Sequence, residues 1–196
     1  MLTTEQTIKL NHAIADRLLE RLEFMPFQPD HILEFGCIDQ YLLDQLSVYY
    51  PHSELYGLSS NSNISDINGV THNVFKANLT KLPLADNSLD LIISNLVIDC
   101  LNIDLDKYFK ELYRIVKFDG LLLFTMINNT TINNNQLLSI GDLLLSNKFC
   151  DPVIDQELIN INYKLNNTAQ NENLTIEILY GHALGSNLIK TPINID

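Results

Sequence analysis

The sequence predicts an α/β fold in which a doubly wound, mostly parallel sheet carries helices on both faces. Two observations support this fold class. Short apolar runs that suit buried strands alternate with segments of helical periodicity along most of the 196 residues, and strands joined through helices pair in parallel. No internal repeat or linker divides the chain, so we expect a single domain over residues 1–196.

The first element is an amphipathic helix. Residues 3–6 read Thr-Thr-Glu-Gln, which is a capping-box signature. Apolar side chains then recur at helical spacing up to Phe24, namely Ile8, Ala15, Leu18, Leu19 and Leu22. Pro26 and Pro29 end the helix, because proline cannot continue the helical hydrogen bonding.

The remaining elements follow along the chain in βα order. The predicted strands are residues 32–35, 55–58, 74–77, 91–94, 121–126, 152–154 and 174–180. The predicted helices are residues 41–50, 104–116 and 142–147. The first five strands therefore form the parallel part of the sheet, and the last two close it.

Composition and charge exclude several classes of function. The net charge of −12 argues against a nucleic-acid partner, since phosphate backbones are bound by clustered Lys and Arg. No apolar run approaches the roughly 20 residues of a membrane span, and the N-terminus lacks a basic segment followed by an apolar one. The three scattered cysteines suggest reduced thiols and no metal site. We expect a cytoplasmic protein.

The segment HILEFGCIDQ at residues 31–40 is the most informative part of the chain. It places an acidic residue, Glu34, and a glycine, Gly36, at the end of a predicted buried strand. Glycine reaches positive φ and lets the backbone approach a ligand, although a glycine after a strand is often only a turn. In open α/β sheets, ligands bind at the carboxyl ends of such strands.

Five strings, in this order, resemble the class I methyltransferases that use S-adenosylmethionine (SAM), and most closely the malonyl-acyl-carrier-protein O-methyltransferases of biotin synthesis. They are ADRLLERL at 15–22, LPLADNSLDLIISN at 82–95, ELYRIVKFDGLLLF at 111–124, DPVID at 151–155 and YGHA at 180–183. The resemblance implies a Rossmann-like sheet of seven strands with the last strand antiparallel. It also implies an N-terminal helix in residues 1–28, a cofactor-binding half at 30–126 and closing strands at 137–185.

The resemblance assigns the cofactor SAM to the strand ends. Glu34 would help to place the methionine moiety, although a carboxylate that caps loop amides is an alternative. Ser59 lies at the ribose position, Asn78 and Leu79 at the adenine position, and Ser94 near the transferable methyl group. Gly36 and Cys37 match the family's frequent Gly-Cys pair, in which Cys37 is a small packed residue.

Several positions depart from the family pattern. Ile38 and Gln40 replace two loop glycines, and Ser59 replaces the carboxylate that grips both ribose hydroxyls. The connection at residues 126–136 is too short for the family's substrate lid. We therefore predict weak or lost SAM binding, with a dissociation constant above about 100 μM. The alternative function is a catalytically inactive protein of this fold that acts as a binding or assembly partner.

On the substrate side, methyl transfer to a carboxylate needs alignment and desolvation more than a general base. Asn95 is the candidate substrate-side residue, and a helix N-cap is the alternative. His182, in the last family-like string, has a structural role as its simpler interpretation.

A basic face could bind an acidic partner such as acyl carrier protein. Lys107, Lys110, Arg114 and Lys117 follow at spacings of three, four and three, which places them on one side of a helix. An ordinary solvated helix face is the alternative.

Overall fold

Seven strands and five helices make up the computed structural model, which describes residues 4–36, 39–59, 72–100, 104–127, 136–164 and 171–185. The strands are β1 (His31–Phe35), β2 (Glu54–Leu58), β3 (Asn73–Phe75), β4 (Leu89–Ser94), β5 (Val116–Ile127), β6 (Cys150–Lys164) and β7 (Asn171–Leu184). The helices are α1 (Thr4–Glu23), α2 (Tyr41–Tyr49), α3 (Val97–Cys100), α4 (Leu105–Ile115) and α5 (Gln136–Ser146).

All seven strands form one sheet in the order β3-β2-β1-β4-β5-β7-β6. Strands β1 to β5 are mutually parallel, and β7 runs antiparallel to both of its neighbours. The predicted fold class, including the antiparallel last strand, is confirmed. The order of strands reverses between β1 and β4, so the switch point where ligands bind in such sheets lies at their carboxyl ends.

Two apolar cores cover the two faces of the sheet, because successive side chains of a strand point to opposite sides. Ile32 of β1 packs in the core with α1 and α2. Its neighbour Leu33 packs in the other core, where α4 and α5 contribute Phe109 and Leu144. Helix α4 begins at a true N-cap, since the Asp104 carboxylate accepts hydrogen bonds from the first backbone amides of the helix.

The closing strands are much longer than predicted. The predicted runs 152–154 and 174–180 are parts of β6 and β7, which pair with each other over most of their length. Polar residues such as Asp155 and Glu157 interrupt the apolar pattern but remain in the ladder, because β6 lies at the edge of the sheet. Helix α3, with four residues, is too short to give a periodic signal.

None of the helices in the described part of the chain combines the length and apolarity needed to cross a membrane. Within the same residues, no cluster of His, Cys, Asp and Glu side chains is arranged to hold a metal ion.

Candidate functional site

The turn after β1 is one that only glycine can form. Gly36 has a φ of 97°, and its amide donates to the carbonyl of Leu58 at 2.7 Å. A Cβ at this position would lie 2.0 Å from Cγ2 of Val97. Side chains other than hydrogen are excluded both by the positive φ and by the contact with α3. The glycine is therefore required by the fold, whatever its role toward a ligand.

Gln40 keeps the backbone conformation of a glycine. It precedes α2 with φ 64° and ψ −1°, in the left-handed region, and its side chain makes no capping hydrogen bond. A left-handed residue other than glycine costs about 1–2 kcal/mol, so the surrounding contacts must hold it there. The position that the resemblance assigns to a loop glycine thus holds a backbone conformation that glycine reaches at lower cost. Cys37 and Ile38 lie outside the described residues.

Glu34 is the penultimate residue of β1, and Ser59 directly follows the neighbouring strand β2. Glu34 is 5% exposed and pairs in register with Gly57, two residues before Ser59. Ser59 is 1% exposed, and its amide donates to the carbonyl of Phe75 at 3.1 Å. A carboxylate and a hydroxyl are therefore both buried near the carboxyl ends of neighbouring strands.

Asn78 uses its side-chain oxygen inside a turn. Its Oδ1 accepts from the amide and from the hydroxyl of Thr80, both at 3.0 Å. This is the oxygen that the family resemblance assigns to the adenine amino group. Leu79, which follows, is half-buried. A ligand at this position would share the Asn78 oxygen with Thr80 or meet main-chain groups instead.

Ser94 and Asn95 make internal hydrogen bonds. The Ser94 hydroxyl lies 2.6 Å from that of Tyr108, and both side chains are fully buried. Burial raises the pKa of the Tyr108 phenol, so it stays protonated. Asn95 donates from Nδ2 to the carbonyl of Asn11 at 2.9 Å, and its Oδ1 accepts from the Thr125 hydroxyl at 2.8 Å. These contacts join α1, β4 and β5, and a substrate role for Asn95 stays a prediction.

Comparisons with known proteins identify the fold. Residues 33–124 match the family model described as a methyltransferase domain. The solved structure of the YcgJ protein of Bacillus subtilis superposes with a TM-score of 0.70 at 13% identity, over 86% of this chain and 97% of that one. The protein has the class I methyltransferase fold. Phosphoethanolamine N-methyltransferase 2 of Haemonchus contortus, solved in complex with SAM, shares this methyltransferase fold with a TM-score of 0.66 at 14% identity, over 87% of this chain and 52% of that one.

Curated relatives confirm the narrower resemblance. The malonyl-[acyl-carrier protein] O-methyltransferase of Legionella pneumophila is 28% identical over 82% of this chain and 64% of its own length. Malonyl-[acyl-carrier protein] O-methyltransferase 1 of Coxiella burnetii is 32% identical over 77% of this chain and 58% of its own length. The chain thus spans about three fifths of the curated relatives that it matches. Their names give no support to the non-catalytic alternative.

Helix α1 supplies polar contacts that the sequence did not single out. Nε2 of His12 lies 2.6 Å from Oδ2 of Asp39, in the loop of the methyltransferase fold that precedes α2. The Tyr41 hydroxyl donates to Oδ1 of Asp16 at 2.6 Å, and the rings of His12 and Tyr41 stack with their centroids 3.9 Å apart. The one available signal was the placement of His12 and Asp16 at i and i+4 on a single helix face.

The basic face differs from the prediction at two of its four positions. Arg114 donates to both oxygens of Glu111, to Asp86 at 2.6 Å and to two main-chain carbonyls. The hydrogen bonds that it donates to Glu111 and Asp86 raise the pKa of its guanidinium. Lys117 lies in β5, beyond the end of α4, and pairs with Asp90 at 2.9 Å. These two charges stabilise the fold, so the prediction of a four-residue basic helix face is wrong.

Lys107 and Lys110 are the exposed remainder of that face. The ammonium of Lys107 lies 3.1 Å from the Asp104 carboxylate, and its side chain is 69% exposed. Both lysines line a cleft of about 750 Å³ beside α4, together with Arg114, Lys148 and the carboxylates of Asp86, Asp106 and Glu111.

His182 lies in the sheet, opposite Leu123 in the β5–β7 ladder. Burial lowers the pKa of its imidazole. With Arg21, Asp155 and Tyr180 it lines a cavity of about 170 Å³. The family-like string at 180–183 therefore forms part of a packed strand, which agrees with the structural interpretation of this histidine.

Proposed function

We propose that the protein is a SAM-dependent methyltransferase of the malonyl-acyl-carrier-protein O-methyltransferase type, which esterifies a carboxylate. The observation that carries the proposal is the main-chain conformation of the residues that directly follow β1. Gly36 has the positive φ of a cofactor-loop glycine, and Gln40 keeps the left-handed conformation at a position where the family has another. The names of the curated relatives support the same type of activity.

The residues at this edge fit the cofactor. Glu34 would face the methionine moiety of SAM and Ser59 the ribose, since both are buried at the carboxyl ends of adjacent strands. SAM, when bound, supplies an activated methyl group. Ser59 offers one hydroxyl where the family has a carboxylate that grips two ribose hydroxyls, and this weakens binding by about 1–3 kcal/mol. The expected dissociation constant stays above about 100 μM.

The proposed reaction does not require the protein to supply a general base. A carboxylate is already an anionic nucleophile at neutral pH, so alignment and exclusion of water supply most of the rate. The internal hydrogen bonds of Ser94 and Asn95 suit that task, because they fix the end of β4 without competing for a proton. The predicted short lid at residues 126–136 falls largely outside the described residues.

Calorimetric titration with SAM and its demethylated product tests cofactor use. Ser59→Asp should tighten binding about 5- to 30-fold, because it restores the second oxygen for the ribose. Ser146→Asp is the matched control, since it adds the same charge at an exposed position at the end of α5. Low-micromolar binding by the parent protein would contradict the expected weakness.

Mass spectrometry of malonyl-acyl-carrier protein after incubation with SAM tests the reaction itself. The expected product is the methyl ester, formed faster by Ser59→Asp than by the parent at a limiting SAM concentration. If neither protein binds SAM and neither forms the ester, the proposal is wrong.

We also propose that an acidic carrier protein docks at the cleft lined by Lys107 and Lys110. Surface plasmon resonance with acyl carrier protein should show weaker association for Lys107→Glu combined with Lys110→Glu, and a steep dependence on salt. Lys9→Glu is the control, because Lys9 is an exposed lysine on α1 that pairs with Glu5. Equal association of the double variant and the control would rule out this surface.

A further inference from the structure

Helix α1 makes hydrogen bonds to two loops at the carboxyl ends of the parallel strands. His12 contacts Asp39 in the first loop, and Asp16 contacts Tyr41 at the start of α2, each through a hydrogen bond of 2.6 Å. The carbonyl of Asn11 accepts from the loop after β4. Three residues within two turns of α1 therefore contact the end of the sheet at which the proposed cofactor would lie.

The contacts from α1 bracket the strained residue of the first loop. Asp39 and Tyr41 are the immediate neighbours of Gln40, which holds a left-handed conformation. Both oxygens of the Asp39 carboxylate are hydrogen-bonded, since Oδ2 pairs with His12 and Oδ1 accepts from the Tyr41 amide at 3.3 Å. A conformation that costs free energy persists when the surrounding contacts determine it, and the bonds from His12 and Asp16 hold the residues on either side of Gln40.

Two further observations favour a specific role for the pair of rings. The His12 and Tyr41 rings are nearly parallel, with an angle of 13° between their planes. The hydrogen bond to Asp16 is the main cause that raises the pKa of Tyr41 to about 12, so the phenol stays protonated and keeps donating at neutral pH. The His12 and Asp39 side chains are 30% and 31% exposed, which leaves the pair only partly screened by water.

We propose that α1 acts as a latch on the cofactor loop, in which His12 and Asp16 are positioning residues that hold residues 39–41 in the binding-competent conformation. The latch replaces the conformational preference that a glycine at position 40 would supply. Its effect on cofactor affinity rests on the proposed function, whereas its effect on the loop does not.

Hydrogen exchange on the full cofactor-free chain tests the latch directly. His12→Phe keeps a ring to stack on Tyr41 but removes the bond to Asp39, and His12→Gln can retain a hydrogen bond. Exchange in the peptide covering residues 39–44 should become about fivefold faster in His12→Phe and stay closer to the parent rate in His12→Gln. His31→Ala is the matched control, since His31 pairs with Asp90 at the start of β1.

The second measurement is the affinity for SAM and its demethylated product. His12→Phe should bind about five- to tenfold more weakly than the parent, and its effect should be non-additive with Asp39→Asn because the two residues share one contact. Unchanged exchange in residues 39–44, or a change equal to that of His31→Ala, overturns the latch. Faster exchange in a protein that binds no SAM supports the latch and refutes the proposed function.

Discussion

Replacing Gly36 with alanine adds a single carbon atom and should strongly destabilise the protein. Alanine at a φ of 97° costs about 1–2 kcal/mol in backbone strain. Its Cβ would also lie 2.0 Å from Cγ2 of Val97, and overpacking of a core contact adds about 1–3 kcal/mol. The two terms together predict a loss of about 2–5 kcal/mol in the free energy of unfolding, which is a large fraction of a typical domain's stability.

Urea unfolding followed by circular dichroism measures this loss, and a second substitution separates its two causes. Val97→Ala removes the clashing methyl group, so Gly36→Ala in that background should cost only the backbone part, about 1–2 kcal/mol. Gly141→Ala is the control, because no atom lies within 4 Å of its added Cβ and its position in α5 should gain about 0.5–1 kcal/mol.

The reasoning fails if Gly36→Ala costs less than about 1 kcal/mol, or if its cost is the same with valine and with alanine at position 97. The first result would show that the turn after β1 can relax without loss. The second would show that the contact with α3 contributes nothing to the requirement for glycine.

Three further predictions concern the charged and buried groups. Arg114→Met should lower the free energy of unfolding by about 2–3 kcal/mol in a urea titration, because it leaves the buried Glu111 carboxylate without its cation. The control Lys110→Met should change the free energy of unfolding by less than about 0.5 kcal/mol. The Arg114 guanidinium holds the pKa of Glu111 below its ordinary value of 4.5. The stabilisation from this pair is therefore present above pH 4.5 and is lost as the pH falls through the folded-state pKa. Glu111→Gln should reduce this acid-side fall in the melting temperature when melts are recorded against pH. Tyr180→Phe should leave the melting temperature unchanged or raise it, because the buried hydroxyl has no hydrogen-bond partner among the described residues; a clear fall would show that this hydroxyl is bonded in solution.

The succession of strands and helices along the chain, and the strand ends that form the candidate site, could be predicted because the signals are local. Alternation of apolar runs with helical periodicity requires only neighbours along the chain, and it located most of the elements to within a few residues. The requirement for glycine at position 36 follows in part from a turn directly after a buried strand. The length of β6 and β7 could not be predicted in this way. Polar residues stay in these strands because the two strands pair with each other, and that pairing is not visible in their apolar pattern.

The roles of individual polar side chains depended on contacts between distant parts of the chain. Arg114 looked like a solvated residue of an amphipathic helix, yet its acceptors at positions 82, 84 and 86 lie about 30 residues earlier. His12 reaches Asp39 across 27 residues. The spacing of residues fixes which face of an element a side chain occupies, but the packing of elements decides which group it meets there. For this protein the chain therefore specified a methyltransferase-like sheet and the strand ends that form the candidate site, whereas the assembled fold determined which charges remain exposed and which hold neighbouring elements together.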